Sequence, residues 1–313
     1  MKIVALAGGV GGAKMADGLA QALPAEDLTV IVNTGDDFEH LGLKICPDLD
    51  TVCYTLAGLA NPVTGWGRVD ETWKVIQNLE KLGGPTWFQL GDSDLSTHLE
   101  RTRRIRAGQT LSQITYDFCK AWEVKPTVLP VSNDLIQTMV LTRGGALNFQ
   151  EYFVHQQCQP VVTGFRFLGV EKAKPAPGVL EAIEMAGSVI LCPSNPWVSI
   201  DPILAVPGVR ETLSAKRVVA VSPIIAGKTV KGPAAKMFAE LDIQPSAAAV
   251  AAHYGSRPGG GLLTGFVMDV LDSNLAIQVE EIGILPIITD TWMHTPTDRL
   301  RLAKEILEFG KMK

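Results

Sequence analysis

Asp36, Asp37, Asp48 and Asp50 lie in two short polar runs, Asn33-Thr34-Gly35-Asp36-Asp37 and Pro47-Asp48-Leu49-Asp50-Thr51, soon after the glycine-rich stretch Gly8–Lys14. Backbone N–H groups that converge on a turn at a helix start attract anions, phosphate above all. Carboxylates near a phosphate repel it unless a cation intervenes. Magnesium bridging Asp50 or its neighbours, Asp36 and Asp48, to a diphosphate is therefore the chemistry that these residue types suggest. For any one aspartate the rival account is a helix cap or turn, where Asp favours local hydrogen bonds. For the cluster, a shared site is the better reading.

The glycine stretch narrows the ligand. In the register Gly9-Val10-Gly11-Gly12-Ala13-Lys14, a lysine stands where the dinucleotide fingerprint G-x-G-x-x-G/A needs a small residue against the sheet. That disfavours a nicotinamide cofactor and gives a phosphate a cation to meet. The Walker A spacing is absent, and a plain tight turn is the structural alternative.

Other candidates come later in the chain. In Trp87–His98 (WFQLGDSDLSTH), an apolar run, a Gly-Asp turn and Asp94 as N-cap lead into a helix whose first turns carry His98. Arg101, Arg103, Arg104 and Arg106 follow. On a helix they cannot all face one way, so most form a solvated face and one or two can reach a phosphate. Ser194-Asn195 and Gly227-Lys228 each follow a buried apolar run. Ser and Asn at such exits can hold a nucleotide, and a Gly-Lys pair before a helix can hold phosphate; ordinary turn chemistry accounts equally well for either loop alone.

The elements that position these residues follow from periodicity. Ile3–Ala7 reads as a parallel strand, Gly12–Leu23 as a helix with Ala16, Leu19, Ala20 and Leu23 on one face, and Leu28–Val32 as a second strand. This βαβ unit opens a doubly wound, mostly parallel, Rossmann-like α/β sheet, whose ligands bind beyond the carboxyl ends of the strands. Residues 51–159 differ: four of the six tryptophans (Trp66, Trp73, Trp87, Trp122) and the helical spacings Trp73–Leu82, Leu95–Ala107 and Leu111–Trp122 mark a mainly helical insertion over the ligand edge. Short strands Val128–Val131, Gln137–Thr142 and Ala146–Phe149 surround the Gly144-Gly145 turn, with Asp134 among them. The core comprises 1–50 and 160–313, with helices Gly178–Ala186, Ile200–Ala205, Ala234–Leu241, Ala247–Tyr254 and Thr297–Phe309, strands Val189–Cys192 and Val218–Val221, and an edge strand at Ile284–Ile288.

Composition excludes some functions. With 313 residues, 46% of them hydrophobic, the chain can bury a large core. A formal net charge of −5 argues against a nucleic-acid partner, which needs a basic surface. The apolar run before Gly8 is too short for a signal peptide, and no stretch reaches the roughly 18 apolar residues of a membrane span, so a cytoplasmic protein without a membrane partner is expected. Five cysteines without a C-x-x-C pair suit reduced thiols.

Taken together, GGVGGAK, NTGDD, PDLDT, WFQLGDSDLSTH, FQEYFV, PSNPWVSI, SPIIAGK and VKGPAAK, in order from Met1 to about Lys236, resemble the 2-phospho-L-lactate transferase family of coenzyme F-420 biosynthesis. The resemblance implies transfer of a phosphorylated three-carbon acid (2-phospho-L-lactate, phosphoenolpyruvate or 3-phosphoglycerate) from a guanylyl diphosphate adduct to the terminal ribityl hydroxyl of the deazaflavin Fo. It also implies release of GMP, magnesium as cofactor and a homodimer. On this reading Asp50 and Asp48 are catalytic, and Asp36 and Asp50 hold the metal. Gly9, Gly11, Gly12 and Lys14 face the diphosphate, and Ser194, Asn195, Gly227 and Lys228 serve the nucleotide. Asp37, Gln89, Asp92, His98 and Asp134 complete the substrate-binding set. Gln89 departs from the basic residue usual there, and Ser132-Asn133-Asp134 from the family wording. The rival reading is a non-catalytic, nucleotide-sugar-binding regulator of a related glycine-loop group, which lacks the PDLD and LGDxDL blocks.

Overall fold

Uncharged aliphatic runs that are buried on both faces form parallel strands, and Ile3–Ala7, Leu28–Val32, Ser188–Leu191 and Val218–Val221 do so here. The computed structural model describes residues 1–309. Its main sheet has seven parallel strands in the spatial order Leu285–Thr289, Gly265–Asp269, Val218–Val221, Ser188–Leu191, Ile3–Ala7, Leu28–Val32 and Thr127–Pro130. From the first strand the chain steps outward twice, then returns to its other flank, so Ile3 pairs with Leu28 on one side and Ser188 on the other. The α/β, doubly wound expectation is met. At this reversal the connections leave neighbouring strands in opposite directions and open a crevice beyond Ala7 and Leu191.

Strand alternation divides the core into two layers. Val4 and Leu6 pack with Ile183, Val209 and Phe238 on one face. Ile3, Ala5 and Ala7 pack on the other with the helix Gly9–Ala22 and the terminal helix Pro296–Phe309. Those two helices approach closely through a glycine: a Cβ on Gly18 would stand 2.3 Å from the Arg299 carbonyl oxygen. Gly9–Ala22 starts three residues earlier than its apolar face implies, with Gly9 opening it at φ +61° and Gly11 already within the helix.

Several elements differ from expectation. Thr127–Pro130 lies within the stretch read as the insertion but forms the edge of the main sheet. Gln137–Thr142, Gly145–Asn148 and Val162–Leu168 form a separate three-stranded antiparallel sheet. Gly265–Asp269, a fully buried strand, was not anticipated; five residues bounded by glycine and aspartate carry too short a pattern. The Pro47–Leu56 helix was also missed. Its proline at the first turn is a helix start whose fixed φ suits that position, and it packs on Gly9–Ala22.

Gly18→Ala is expected to cost about 1–3 kcal/mol through overpacking and to lower the thermal midpoint by several degrees. An unchanged midpoint in a thermal melt would show that the two helices can separate freely.

Candidate active site

The helical state of Pro47–Leu56 decides how its two acids are used. Residues i and i+2 on a helix point to nearly opposite sides. Asp48 turns to the crevice and Asp50 turns away from it.

Asp48 accepts the Gly9 N–H through Oδ1 at 2.6 Å and the Asn33 amide through Oδ2 at 2.9 Å. Asn33, the first residue beyond the second strand, is itself held: its Nδ2 donates to the Val198 carbonyl at 3.1 Å and its Oδ1 accepts the Gly35 N–H at 2.8 Å. Gly8 must be glycine, since a Cβ there would meet Asp48 Oδ2 at 2.2 Å. Burial raises the Asp48 carboxyl to about 6, against the pull of the Asn33 and Gly9 donors.

Asp36 and Asp37 join Asp48 in this buried acid cluster. Burial, reinforced by the charges of Asp48 and Asp37, pushes the Asp36 carboxyl well above the usual range, although Gln150 donates to its Oδ2 at 3.1 Å. Asp37 Oδ2 pairs with Lys44 at 3.0 Å and accepts the Cys46 thiol at 3.1 Å. Asp36 Oδ1, Asp37 Oδ1 and the hydroxyl of Thr34 are buried without a hydrogen-bond partner. Among the described residues no group of three or more His, Cys, Asp or Glu is arranged to hold a metal ion. Orphaned carboxylate oxygens nevertheless fit magnesium, which characteristically takes one or two protein carboxylates and fills its shell with water and substrate phosphate.

Asp50 faces the helix Asp92–Arg106. Both of its oxygens bind the Arg101 guanidinium, Oδ2 at 3.0 Å from Nη1 and Oδ1 closely to Nη2. Burial raises the Asp50 carboxyl, opposed by Arg101 and then His98. His98, 2% exposed, lies with Nδ1 3.7 Å from Asp50 and Nε2 3.4 Å from Asp94. The metal pair Asp36 and Asp50 is thus not brought together; Asp48 occupies the place expected of Asp50. Asp94 is no N-cap. It sits inside the first turn, buried, accepting the Tyr54 hydroxyl at 2.7 Å. The caps here are exchanged between helices. Glu71 accepts the N–H groups of Ser93 and Asp94 at 2.8 and 2.7 Å, while Asp92 accepts those of Lys74 and Val75 at 3.2 and 3.0 Å, at the start of Lys74–Lys81.

The glycines and the Ser194 loop form one wall. Ser194 Oγ donates to the Gly8 carbonyl at 2.8 Å and accepts the Gly8 N–H at 3.1 Å. A Cβ on Gly11 or Gly12 would meet the Pro193 carbonyl at 2.3 Å or Ser194 Oγ at 2.5 Å, so these two glycines permit the close approach of the two loops. Asn195 caps the following turn by accepting the Trp197 N–H at 3.0 Å. Lys14 donates to the Met293 carbonyl at 2.9 Å, and burial, Arg299 and Lys231 lower its ammonium pKa. Three cations therefore gather beside the opening helix, of which Arg299 is paired with Asp17 at 3.0 Å.

Four other expected site residues make no hydrogen bond or ion pair with Asp36, Asp37 or Asp48. Gly227, at φ +74°, lies in the two-residue turn Ala226-Gly227 of a hairpin, and the exposed Lys228 opens its second strand opposite Ile225, rather than a helix start. Asp134 is exposed and accepts the Lys174 N–H at 2.7 Å. Gln89 is exposed and donates to the Thr86 carbonyl at 2.8 Å. Its neighbours build an aromatic cluster that the spacing did not reveal: Trp87 stacks on His155 at 5.1 Å, Phe88 meets Phe38 edge-on at 4.9 Å, and His40 meets Trp87 edge-on at 5.1 Å.

The sheet order and the acidic crevice at its reversal point define an α/β protein of the Rossmann-like class. The profile described as 2-phospho-L-lactate transferase CofD matches residues 3–279, and the chain belongs to that family. It is 45% identical over 318 residues to a phosphoenolpyruvate transferase of Streptomyces griseus, covering 99% of each chain, and 44% identical over 322 residues to that of Streptomyces coelicolor, covering 98% and 100%. A crystal structure of a UPF0052 family member from Bacillus halodurans superposes with a TM-score of 0.63 at 15% identity, over 98% of each chain, a likeness of fold alone. Membership of a transferase family favours catalysis over the non-catalytic regulator. No described helix is long and apolar enough to cross a membrane.

The acid cluster makes a prediction about pH. The folded protein keeps a proton on Asp48 up to about pH 6, whereas the unfolded chain releases it near 3.8. Stability therefore falls as pH rises between those values, by roughly 3 kcal/mol for a shift of about two units. Asp36 is displaced in the same direction. Asp36→Asn is expected to melt above the parent at about pH 8 and to lose this advantage at about pH 4. A variant less stable than the parent at the higher pH would contradict the assignment of Asp36 as a buried charge held at a cost.

Proposed function

We propose that the chain transfers a phosphorylated three-carbon acid from its guanylyl diphosphate adduct to the terminal ribityl hydroxyl of Fo, releasing GMP. We take the acid to be phosphoenolpyruvate, because the similar Streptomyces proteins carry that name. The observation that carries the proposal is the buried cluster of Asp36, Asp37 and Asp48 at the sheet's reversal point, with two carboxylate oxygens left unpartnered.

In this reaction the ribityl oxygen attacks the phosphorus that bears the acid, and the bond to the GMP phosphate oxygen breaks. Positioning and charge neutralisation supply most of the catalysis. Asp36 and Asp37 would hold magnesium, which neutralises the diphosphate. Asp48, raised toward neutrality and fixed by Gly9 and Asn33, accepts the hydroxyl proton. Lys14 and Lys231 supply positive charge for the phosphates, and the Phe38–Trp87–Phe88 aromatics offer flat faces to the deazaflavin. A cytoplasmic homodimer belongs to the same proposal.

Incubation with Fo, magnesium and each of the three guanylyl diphospho-acids, followed by mass spectrometry, tests it. The phosphoenolpyruvate donor should give a phosphodiester and GMP fastest, and Asp36→Asn should slow turnover about a hundred- to thousandfold. No product from any donor would overturn the function; equal rates would overturn the choice of acid.

A further inference from the structure

Arg101 is the largest of the fully buried side chains, 2% exposed, and it belongs to an arginine run that sequence alone assigns mainly to solvent. Its guanidinium binds both oxygens of Asp50, approaches the Lys44 carbonyl at 3.4 Å, and has His98 Nδ1 3.2 Å from Nη1. Because a guanidinium only donates, His98 Nδ1 accepts here, and its Nε2 lies 3.4 Å from Asp94 Oδ1. Asp94 in turn accepts the Tyr54 hydroxyl. Asp50 and Tyr54 sit one helical turn apart on Pro47–Leu56, while Arg101, His98 and Asp94 line one face of Asp92–Arg106. The two helices are thus joined at two points, by the Asp50–Arg101 pair and the Tyr54–Asp94 hydrogen bond, and the partner of the acid-bearing helix is the insertion.

We propose that Arg101 is a positioning residue for the transfer reaction, acting through Asp50. By clamping Asp50 on one side of the helix, Arg101 fixes the rotation of the first turn, and that rotation holds Asp48 on the other side within 2.6 Å of Gly9 N. A planar two-pronged guanidinium defines this orientation in a way that a point charge does not. The proposal rests on the transferase reading of the crevice.

Steady-state kinetics of Arg101→Met and Arg101→Lys, measured well below the thermal midpoint of each, test it. Arg101→Met should lose at least a hundredfold in kcat, with KM for the guanylyl donor changed less than threefold. Arg101→Lys, which keeps the charge without the fork, should recover to within about tenfold of the parent while remaining measurably below it. Parental kcat in both variants, once the folded fraction is counted, would overturn the proposal. So would a loss confined to KM. If Arg101→Met does not fold, Arg101→Lys decides: a kcat equal to the parent's at an unchanged melting temperature overturns the clamp, and a reduced kcat supports it. Absence of turnover in the parent protein would instead defeat the transferase reading itself.

Discussion

Two aspartates separated by a single residue on a helix must serve opposite sides. The rest of the site depends on this constraint. Pro47–Leu56 lies between the sheet and the insertion, so Asp48 reaches the crevice at the ends of the strands while Asp50 reaches Arg101. Had the same five residues been a loop, both carboxylates could have turned to one ligand. As a helix, the segment divides them into one acid for the crevice and one acid for the scaffold.

The crevice side carries a cost. Three carboxylates are buried together, and the donors that meet them, Gly9 N–H, Asn33, Gln150 and Lys44, leave two oxygens without a partner. Structures tolerate such arrangements mainly where function requires them, because each unpaired buried charge opposes folding. Here the surrounding parallel sheet, buried on both faces, supplies the stability that the site removes. On the scaffold side the charges are paired by geometry: Arg101 binds both oxygens of Asp50 and reaches His98, and Asp94 accepts the Tyr54 hydroxyl, although Arg101 Nε and His98 Nε2 are buried without a hydrogen-bond partner.

Much of this was legible in the sequence. The strands Ile3–Ala7 and Leu28–Val32 announced themselves as uncharged aliphatic runs, and the polar residues just beyond them, Gly9 and the Asn33–Asp37 segment, did become the crevice. Periodicity also found Leu111–Ala121 and the terminal helix. What stayed hidden depends on direction rather than on identity. The Pro47 helix start was readable, but without it Asp48 and Asp50 looked equivalent. Arg101 resembled its exposed neighbours because burial of a single residue in a charged run is set by its partner, Asp50, 51 residues away in sequence. The Gly227-Lys228 pair looked like a phosphate loop until the hairpin register of Ile224–Ile225 with Lys228–Thr229 put Gly227 in the turn and Lys228 at the start of a strand. Trp87 and Phe88 read as a short apolar run before the Gly-Asp turn, whereas their cluster with Phe38, His40 and His155 needs three separate segments to meet.

The central claim is that Asp36 and Asp37, beside Asp48, form the cation-holding edge of the site and that Asp50 does not belong to it. Anomalous diffraction from crystals grown with manganese in place of magnesium tests this most directly. The account predicts a peak beside Asp36 Oδ1 and Asp37 Oδ1, with Asp50 still paired to Arg101. A peak on Asp50, or an empty crevice in crystals of a protein that turns over with manganese, would contradict it.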